Sequence, residues 1–445
     1  MILRHALWIT CLLALTGCDS VELPSWAGGG DNKPKLQGER VTILKESQKF
    51  EVDSSLASVP FTLPEPQDNE SWPQAMGSAQ SYLGHPALAS EIGQQSSGRI
   101  GNGNDWQQKI YTAPVVAGTT VFAMDARGFI SAHQSTDLAN VFWVTGAAVE
   151  EDEPDLLGGG LAYDDGKLFA TTGYGKVIAI DPQSGKELWK QAINIPIRTA
   201  PKVLSDKVIV LTVDNQTIAL SVATGDVLWT HRGISEAAGF IADIAPSVTD
   251  NIVITPYSSG EIVALDIATG QELWSDTLIL NKRTTASDIF TGIGGVPVIA
   301  DGIVYAVSNN GLLVATEINR GQRLWEQPIS SDNTVWVAGD ALFVLSRSQE
   351  LFGLNRADGR IKWTTQLQAF EDEESKKHPI HWKGPVLAGG KLWVLNADGA
   401  MHAIDPQTGA IEKTLDIPSG IVEVPVVAGK TMFLLDKDAS IHALK

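Results

Sequence analysis

Ala264-Leu265-Asp266-Ile267-Ala268-Thr269-Gly270-Gln271-Glu272-Leu273-Trp274 decides the fold, because the chain repeats it. Ala179-Ile180-Asp181, Gly185 and Trp189 stand at the same spacing, as do Ala219-Leu220-Ser221, Gly225 and Trp229. Looser copies end at Gly321/Trp325 and Gly359/Trp363. Another runs from Ala403 through Gly409 with Lys413 in the Trp place, and a degenerate one ends at Trp143 with Ala139 in the Gly place. Before each copy comes a Pro or small residue, a few β-branched residues, a turn and an alternating apolar run, as in Ala200-Pro201-Lys202-Val203-Leu204-Ser205-Asp206. Short period-two runs bounded by Gly, Asp or Asn are strands joined by hairpin turns. The repeat length lies between 38 residues (Trp325 to Trp363) and 51 (Trp274 to Trp325). Four short strands in a unit of that size make a propeller blade.

Seven copies precede a last stretch, residues 421–445, with room for three strands only. Glu70-Ser71-Trp72-Pro73-Gln74-Ala75 resembles Glu187-Leu188-Trp189-Lys190-Gln191-Ala192 and is expected to supply the missing outer strand. The expectation is an all-β, eight-bladed β-propeller with four-stranded antiparallel blades and tryptophan-docking repeats, its ring closed by an N-terminal strand. Closure removes the open edges of a repeat array. Gly at the hairpin takes positive φ and admits a close neighbour. Asp four residues earlier accepts hydrogen bonds from turn amides. Trp143, Trp189, Trp229, Trp274, Trp325 and Trp363 are assigned the structural role of bridging adjacent blades, each indole N–H finding a carbonyl.

Composition agrees. The chain has 42 Gly in 445 residues, about 9% against the usual 7%, and 13 Trp against 6 Tyr. Its net charge of −19 repels phosphate backbones, which excludes generic nucleic-acid binding. After the N-terminus no apolar run is long enough for a membrane-spanning helix.

Residues 1–17 place Arg4 before an apolar core that ends in small residues, as in a secretory signal peptide. Leu15-Thr16-Gly17-Cys18 resembles a lipoprotein box, which implies cleavage before Cys18 and its acylation, a stable membrane attachment. Cys11 leaves with the signal, so the mature chain has one cysteine and no internal disulfide. Residues 18–67, with a Gly28-Gly29-Gly30 run, mixed charges and several prolines, are expected to be a lipidated flexible tether, and residues 68–445 the propeller.

The pattern Ala-x-Asp-x-x-Thr-Gly-x-x-x-Trp resembles the repeat of the pyrroloquinoline-quinone dehydrogenase-like propellers over about residues 68–445. Within that superfamily, the lipobox and the absence of other large domains resemble the BamB family of outer-membrane assembly lipoproteins. That resemblance implies a non-catalytic scaffold of the β-barrel assembly machinery, without cofactor or metal, lipid-anchored on the periplasmic face of the outer membrane. Implied partners are the POTRA domains of the barrel catalyst BamA, the other lipoproteins of the machinery and, transiently, unfolded outer-membrane proteins. Asp19, directly after the acylated cysteine, is in enterobacterial lipoproteins an inner-membrane retention signal. The alternatives are a quinone-dependent periplasmic dehydrogenase and a propeller scaffold of another envelope complex.

The dehydrogenases of the superfamily commonly carry a vicinal disulfide that one mature cysteine cannot make. Other chemistry is weak: Gly292-Ile293-Gly294-Gly295 precedes no helix, and His378 and His381 stand beside Pro379 after an acidic loop. In the BamB family the partner-contacting loops precede two consecutive central blades. Here those loops carry Phe240, Ile241 and Asp243, and Asp288, Ile289, Phe290 and Ile293. The resemblance implies one apolar patch of Phe240, Ile241, Ile289, Phe290 and Ile293, rimmed by Asp243 and Asp288. The Leu-x-Leu-Arg and Asp-x-Asp runs of better-known members are missing at these positions.

Overall fold

In a computed structural model each repeat is a four-stranded antiparallel sheet, and eight such sheets form the ring of a propeller. The structure describes residues 50–149, 158–197, 199–234, 244–279 and 292–445. Blades 1 to 7 span residues 115–145, 159–192, 202–232, 247–277, 298–327, 336–366 and 382–416. Blade 8 combines Val426–Ala428, Thr431–Leu435 and Ser440–Leu444 with Gln94–Arg99 as its outer strand. Strands are lettered a to d from the axis outward. Their alternation puts the a–b and c–d turns on one face, called lower here, and the b–c turns and d–a connections on the other, upper face.

Each motif residue makes a contact that holds one blade to the next. The indole N–H of Trp143, Trp189, Trp229, Trp274, Trp325 and Trp363 donates to the carbonyl of Pro182, Val222, Ile267, Ile318, Arg356 and Pro406 in the following blade, at 2.6–3.0 Å. That carbonyl always lies three residues before the motif glycine. The indole then covers the glycine itself: a Cβ on Gly270 would sit 2.5 Å from the Trp229 ring, and Gly270 also has φ +72°. Trp229, Trp274 and Trp363 are buried, whereas Trp143, Trp189 and Trp325 are half-buried. The motif alanine leaves room in strand c. Ala264 lies between Ile254 and Trp274, and Gly353 between Phe343 and Trp363, where a Cβ would come within 2.3 Å of the indole.

The motif acid shapes the turn. Asp266 accepts from the amides of Ala268 and Thr269 at 3.1 and 2.8 Å and from the Thr269 hydroxyl at 2.8 Å. These bonds, that of the Thr269 hydroxyl foremost, hold its carboxyl below the usual carboxylate range. In the third blade Ser221 does the same job over longer distances, 3.2 and 3.3 Å.

The ring has one seam, and there the pattern breaks for a physical reason. Lys413 pairs with Ala403, as the tryptophans pair with their alanines. The next blade runs out after strand c and takes its outer strand from the N-terminal side, so it has no c–d turn and no glycine for an indole to cover. Ser96, opposite Ala443, fills the Trp place in that outer strand. The c–d turn of blade 1 is only Ser135-Thr136, between paired Gln134 and Asp137. Ala139 therefore sits inside Asp137–Thr145 and not in a glycine place at a turn. Gly98 instead lets the strands meet, since a Cβ there would lie 2.1 Å from the Leu138 oxygen.

The closing strand is N-terminal, but it is Gln94–Arg99 and not residues 70–75. Trp72 has another use. Its backbone exchanges hydrogen bonds with Val116 at 2.8 and 2.9 Å, and its ring stacks on Trp336 with 6.2 Å between centroids. The last part of the expected tether, residues 18–67, belongs to the compact unit, which begins at Glu51. The Asp53 amide donates to the Ile361 carbonyl at 2.8 Å, Phe61 packs edge-on against Phe343, and Gln407 bonds both backbone groups of Phe61. Residues 53–62 thus run along the lower face from the outer edge of blade 6 toward the axis.

Trp274→Ala is expected to lower the stability to unfolding by about 3–5 kcal/mol. Lys413→Trp should change it by less than about 0.5 kcal/mol, because its neighbour offers no turn to cover. Chemical denaturation of both variants checks this; equal effects would remove the docking role.

Candidate functional site

The axis of the ring is closed on one side by the chain itself. Residues 69–86 touch the inner part of every blade, in ring order. The Asn69 side chain and carbonyl bond Val427 and Gly429 of blade 8, Trp72 bonds Val116 of blade 1, and the Pro73 carbonyl accepts from Tyr163 of blade 2. Gln74 mimics a strand neighbour in blade 3, its amide donating to the Val203 carbonyl at 2.7 Å and accepting from the Val203 amide at 3.0 Å. The carbonyls of Ala79 and Gln80 accept from Val248 and Ile299 of blades 4 and 5. Those of Gly84 and Pro86 accept from the Trp336 indole and from Gly389, in blade 6 and at the first turn of blade 7. Lys202 ties the belt to the inner strand of blade 3: its buried ammonium donates to the carbonyls of Ala75 and Ser78 at 2.6 Å and to the Ser81 hydroxyl at 3.0 Å.

This belt is the floor of an axial cavity of about 420 Å³. Trp72, Gln74 and Met76 line it from below, and Tyr111, Ile244, Gly294, Asp332, Lys383 and Glu423 line it from the starts of the inner strands, on the upper side. Its charges are matched within the chain. Asp332 lies 2.9 Å from the Arg347 guanidinium, and Glu423 3.4 Å from the Lys383 ammonium. Burial pushes both carboxyls up, against the pull of those cations. Asn333 is spoken for as well, donating to the Trp382 carbonyl and accepting from the Gly384 amide. Among the described residues no group of three or more His, Cys, Asp or Glu could hold a metal ion.

Two upper-face connections carry the expected contact residues. Phe240, Ile241, Asp243, Asp288, Ile289 and Phe290 lie outside the described residues, as does Cys18. Ile293 is described and does not share in an exposed patch. It is 2% exposed, pairs with Ser308 and packs with Ile252, Leu278 and Leu312. Described residues at the ends of both connections, Ile244 and Gly294, line the cavity, so the connections attach beside its upper side. The acidic stretch 371–374 belongs to a hairpin on the same face, Phe370–Asp372 paired with Lys377–Pro379. The belt and the axial charges escaped the sequence reading. A lysine inside an otherwise apolar inner strand, Lys202, was the available signal for the belt. Acids and a lysine next to the inner strands, Asp332, Lys383 and Glu423, were the signal for the cavity.

An eight-bladed ring with tryptophan docking and loops gathered over a blind axis defines a propeller of the quinone dehydrogenase-like class. The family described as outer membrane protein assembly factor BamB matches residues 130–365 and 369–445, and the chain belongs to it. BamB of Yersinia pestis is 24% identical over 337 residues, 74% of this chain and 83% of that protein. The crystal structure of BamB from Moraxella catarrhalis superposes with a TM-score of 0.67 at 21% identity, covering 80% of this chain and all of that one. A quinohemoprotein alcohol dehydrogenase from Comamonas testosteroni gives a TM-score of 0.65 at 12% identity, covering 88% of this chain and 82% of that one. At such identities the superpositions show the fold alone. No helix among the described residues is long and apolar enough to cross a membrane.

Lys202→Met should lower stability by about 1–2 kcal/mol, because it leaves two half-buried carbonyls of the belt without their donor. Chemical denaturation measures the loss, and limited proteolysis should show new cleavage between residues 69 and 86. Wild-type stability with an uncut belt would show that Lys202 does not hold it.

Proposed function

We propose that the protein is a non-catalytic scaffold of outer-membrane β-barrel assembly, which binds the POTRA domains of BamA through its upper face. Membership of the BamB family supports the process. The single observation that carries the scaffold reading is the belt of residues 69–86, which fills the lower part of the axis with the chain's own backbone. A quinone held on the axis does not fit these residues. The floor is protein, each cavity carboxylate already faces a cation of the chain, and the Asn333 amide is engaged. The cavity thus offers two carboxylates, both facing cations of the chain, in place of the cluster of free acidic oxygens that favours a calcium ion. The likeness to dehydrogenases extends to the ring and no further.

On this reading Cys18 carries the lipid anchor and residues 19–50 lead from it to the ring. The docking patch is Phe240, Ile241, Ile289 and Phe290, with Asp243 and Asp288 at its rim. Ile293 supports the second connection from within the core. The position of the flanking residues Ile244 and Gly292 on the upper face supports this assignment, and so does the burial of apolar anchors typical of protein interfaces.

Co-purification from detergent-solubilised membranes tests the function. The wild type should bring down BamA. Phe240→Ala combined with Phe290→Ala should weaken capture about thirtyfold or more at an unchanged melting temperature. Arg320→Ala, on the opposite face, should leave capture unchanged. Equal recovery with both variants would remove this surface from consideration. In the same cells Cys18→Ala should move the protein to the soluble periplasmic fraction. A mutant still bound to membranes in high salt would show that the acyl chains are not its anchor.

A further inference from the structure

Two buried asparagines in b–c turns bond the residues that flank the connections before blades 4 and 5. Ile234 precedes the first connection, and Ile279 and Gly292 flank the second. Asn215, in the b–c turn of blade 3, is 3% exposed. Its side-chain amide donates to the Ile234 carbonyl at 2.6 Å. Its side-chain oxygen accepts from the Ser258 amide and hydroxyl, in the b–c turn of blade 4, both at 3.1 Å. Asn309, in the b–c turn of blade 5, is 2% exposed. Its side-chain oxygen accepts from the Gly292 amide at 3.0 Å, and its backbone amide donates to the Gly292 carbonyl at 3.0 Å. Arg347, paired with Asp332 of the cavity, holds the Asn309 carbonyl at 3.1 Å. In the same turn Ser308 bridges Ile293 and Gly311 bridges Ile279, so one turn grips both ends of the second connection. The turn of blade 4 joins the two connections, because Ser258 bonds Asn215 and the Gly260 carbonyl accepts from the Leu278 amide at 2.9 Å.

We infer that Asn215 and Asn309 are positioning residues for partner binding: buried themselves, they set the points from which the two docking connections start. The inference rests on the reading of function above and deepens it, by naming what holds that surface to the ring. The targets of these side chains single them out. Asn396, at the b–c turn of blade 7, is as buried, at 3%, but accepts from the amides of Asp398 and Ala400 within its own turn. Asn215 and Asn309 instead reach residues 19 and 17 positions away, each flanking one of two consecutive connections. A surface shared by two connections needs their ends at a fixed spacing. Bonds running through the turns of blades 3, 4 and 5 supply that spacing before the partner arrives, which lowers the ordering cost of binding.

The test uses the full-length protein in detergent and the purified POTRA array of BamA from the same organism, with affinity read by titration. Asn215→Ala and Asn309→Ala should each weaken binding about tenfold, the scale of one hydrogen bond. Asn396→Ala, which also loses a buried turn side chain, should leave affinity unchanged. Equal weakening by all three would make the effect one of general stability and overturn the inference. In a Phe290→Ala background Asn309→Ala should cost little more, because it acts through that connection. A full additional tenfold there would overturn the inference. Hydrogen exchange of the free protein should speed up at Gly292 in Asn309→Ala and not in Asn396→Ala. Unchanged exchange at Gly292 would show that Asn309 does not hold it, and overturn the inference. Wild-type affinity in both Asn215→Ala and Asn309→Ala would do the same and leave the function standing. A wild type that does not bind the array would overturn the function, and this inference with it.

Discussion

The ring depends on one contact, the indole of one blade lying over the glycine of the next. Hydrophobic burial alone would let neighbouring sheets slide, since it has no direction. Here the indole N–H must meet a carbonyl three residues before the glycine, as Trp274 meets Ile318, and the ring must cover a position with no side chain. The two requirements fix both the distance and the rotation between blades. They also explain the rest of the motif. The acid shapes the turn that presents the glycine, and the alanine in strand c clears space for the indole from behind. A β-branched or aromatic residue in strand b, such as Ile254 or Phe343, closes the packing on the other side.

At the seam this contact is missing twice, and different forces take over. Gln94–Arg99 pairs with Ser440–Leu444 through backbone hydrogen bonds, and Gly98 allows blade 1 to approach. The belt then changes the nature of the ring. A repeat protein held only by nearest neighbours can open at its weakest junction. Residues 69–86 touch all eight blades, so opening any junction also strains a segment bound to the others. Most of these bonds use backbone groups, which lets a segment of irregular sequence serve eight blades of slightly different side chains.

The repeat was legible because each unit restates the same packing problem and solves it with the same residues. Trp189, Trp229 and Trp274 announce blades without reference to anything distant. The seam was legible only as a deficit, three strands where four were needed. Its filling strand was misplaced because Glu70-Ser71-Trp72 resembles Glu187-Leu188-Trp189 locally, while the strand actually used, Gln94–Arg99, carries no tryptophan. It carries none because blade 1 offers a two-residue turn in place of the glycine turn, a fact held in the partner strand and not in the strand itself. Ile293 was misjudged for a related reason. Its place outside the strand pattern read as exposed, yet a single bridge to Ser308 turns it into the core. The belt was signalled by Lys202 alone, because most of its bonds are made by backbone groups and no periodicity marks a segment that visits each blade once.

The two faces of the ring are left with different work. The lower face is occupied: the chain arrives along blade 6 through Asp53 and Phe61, enters at the axis and seals it. The upper face keeps the cavity mouth, the acidic hairpin and the connections that lead to blades 4 and 5. The lower part of the axis is spent on holding the blades together, and the upper part keeps the cavity. What remains free are connections whose length and sequence can vary without disturbing the docking contacts, because neither the indoles nor their glycines lie on that face. A surface that varies freely on a frame that does not is suited to recognising other proteins, and the arrangement of contacts in the ring, rather than any one residue in a loop, is what makes the upper face available for that use.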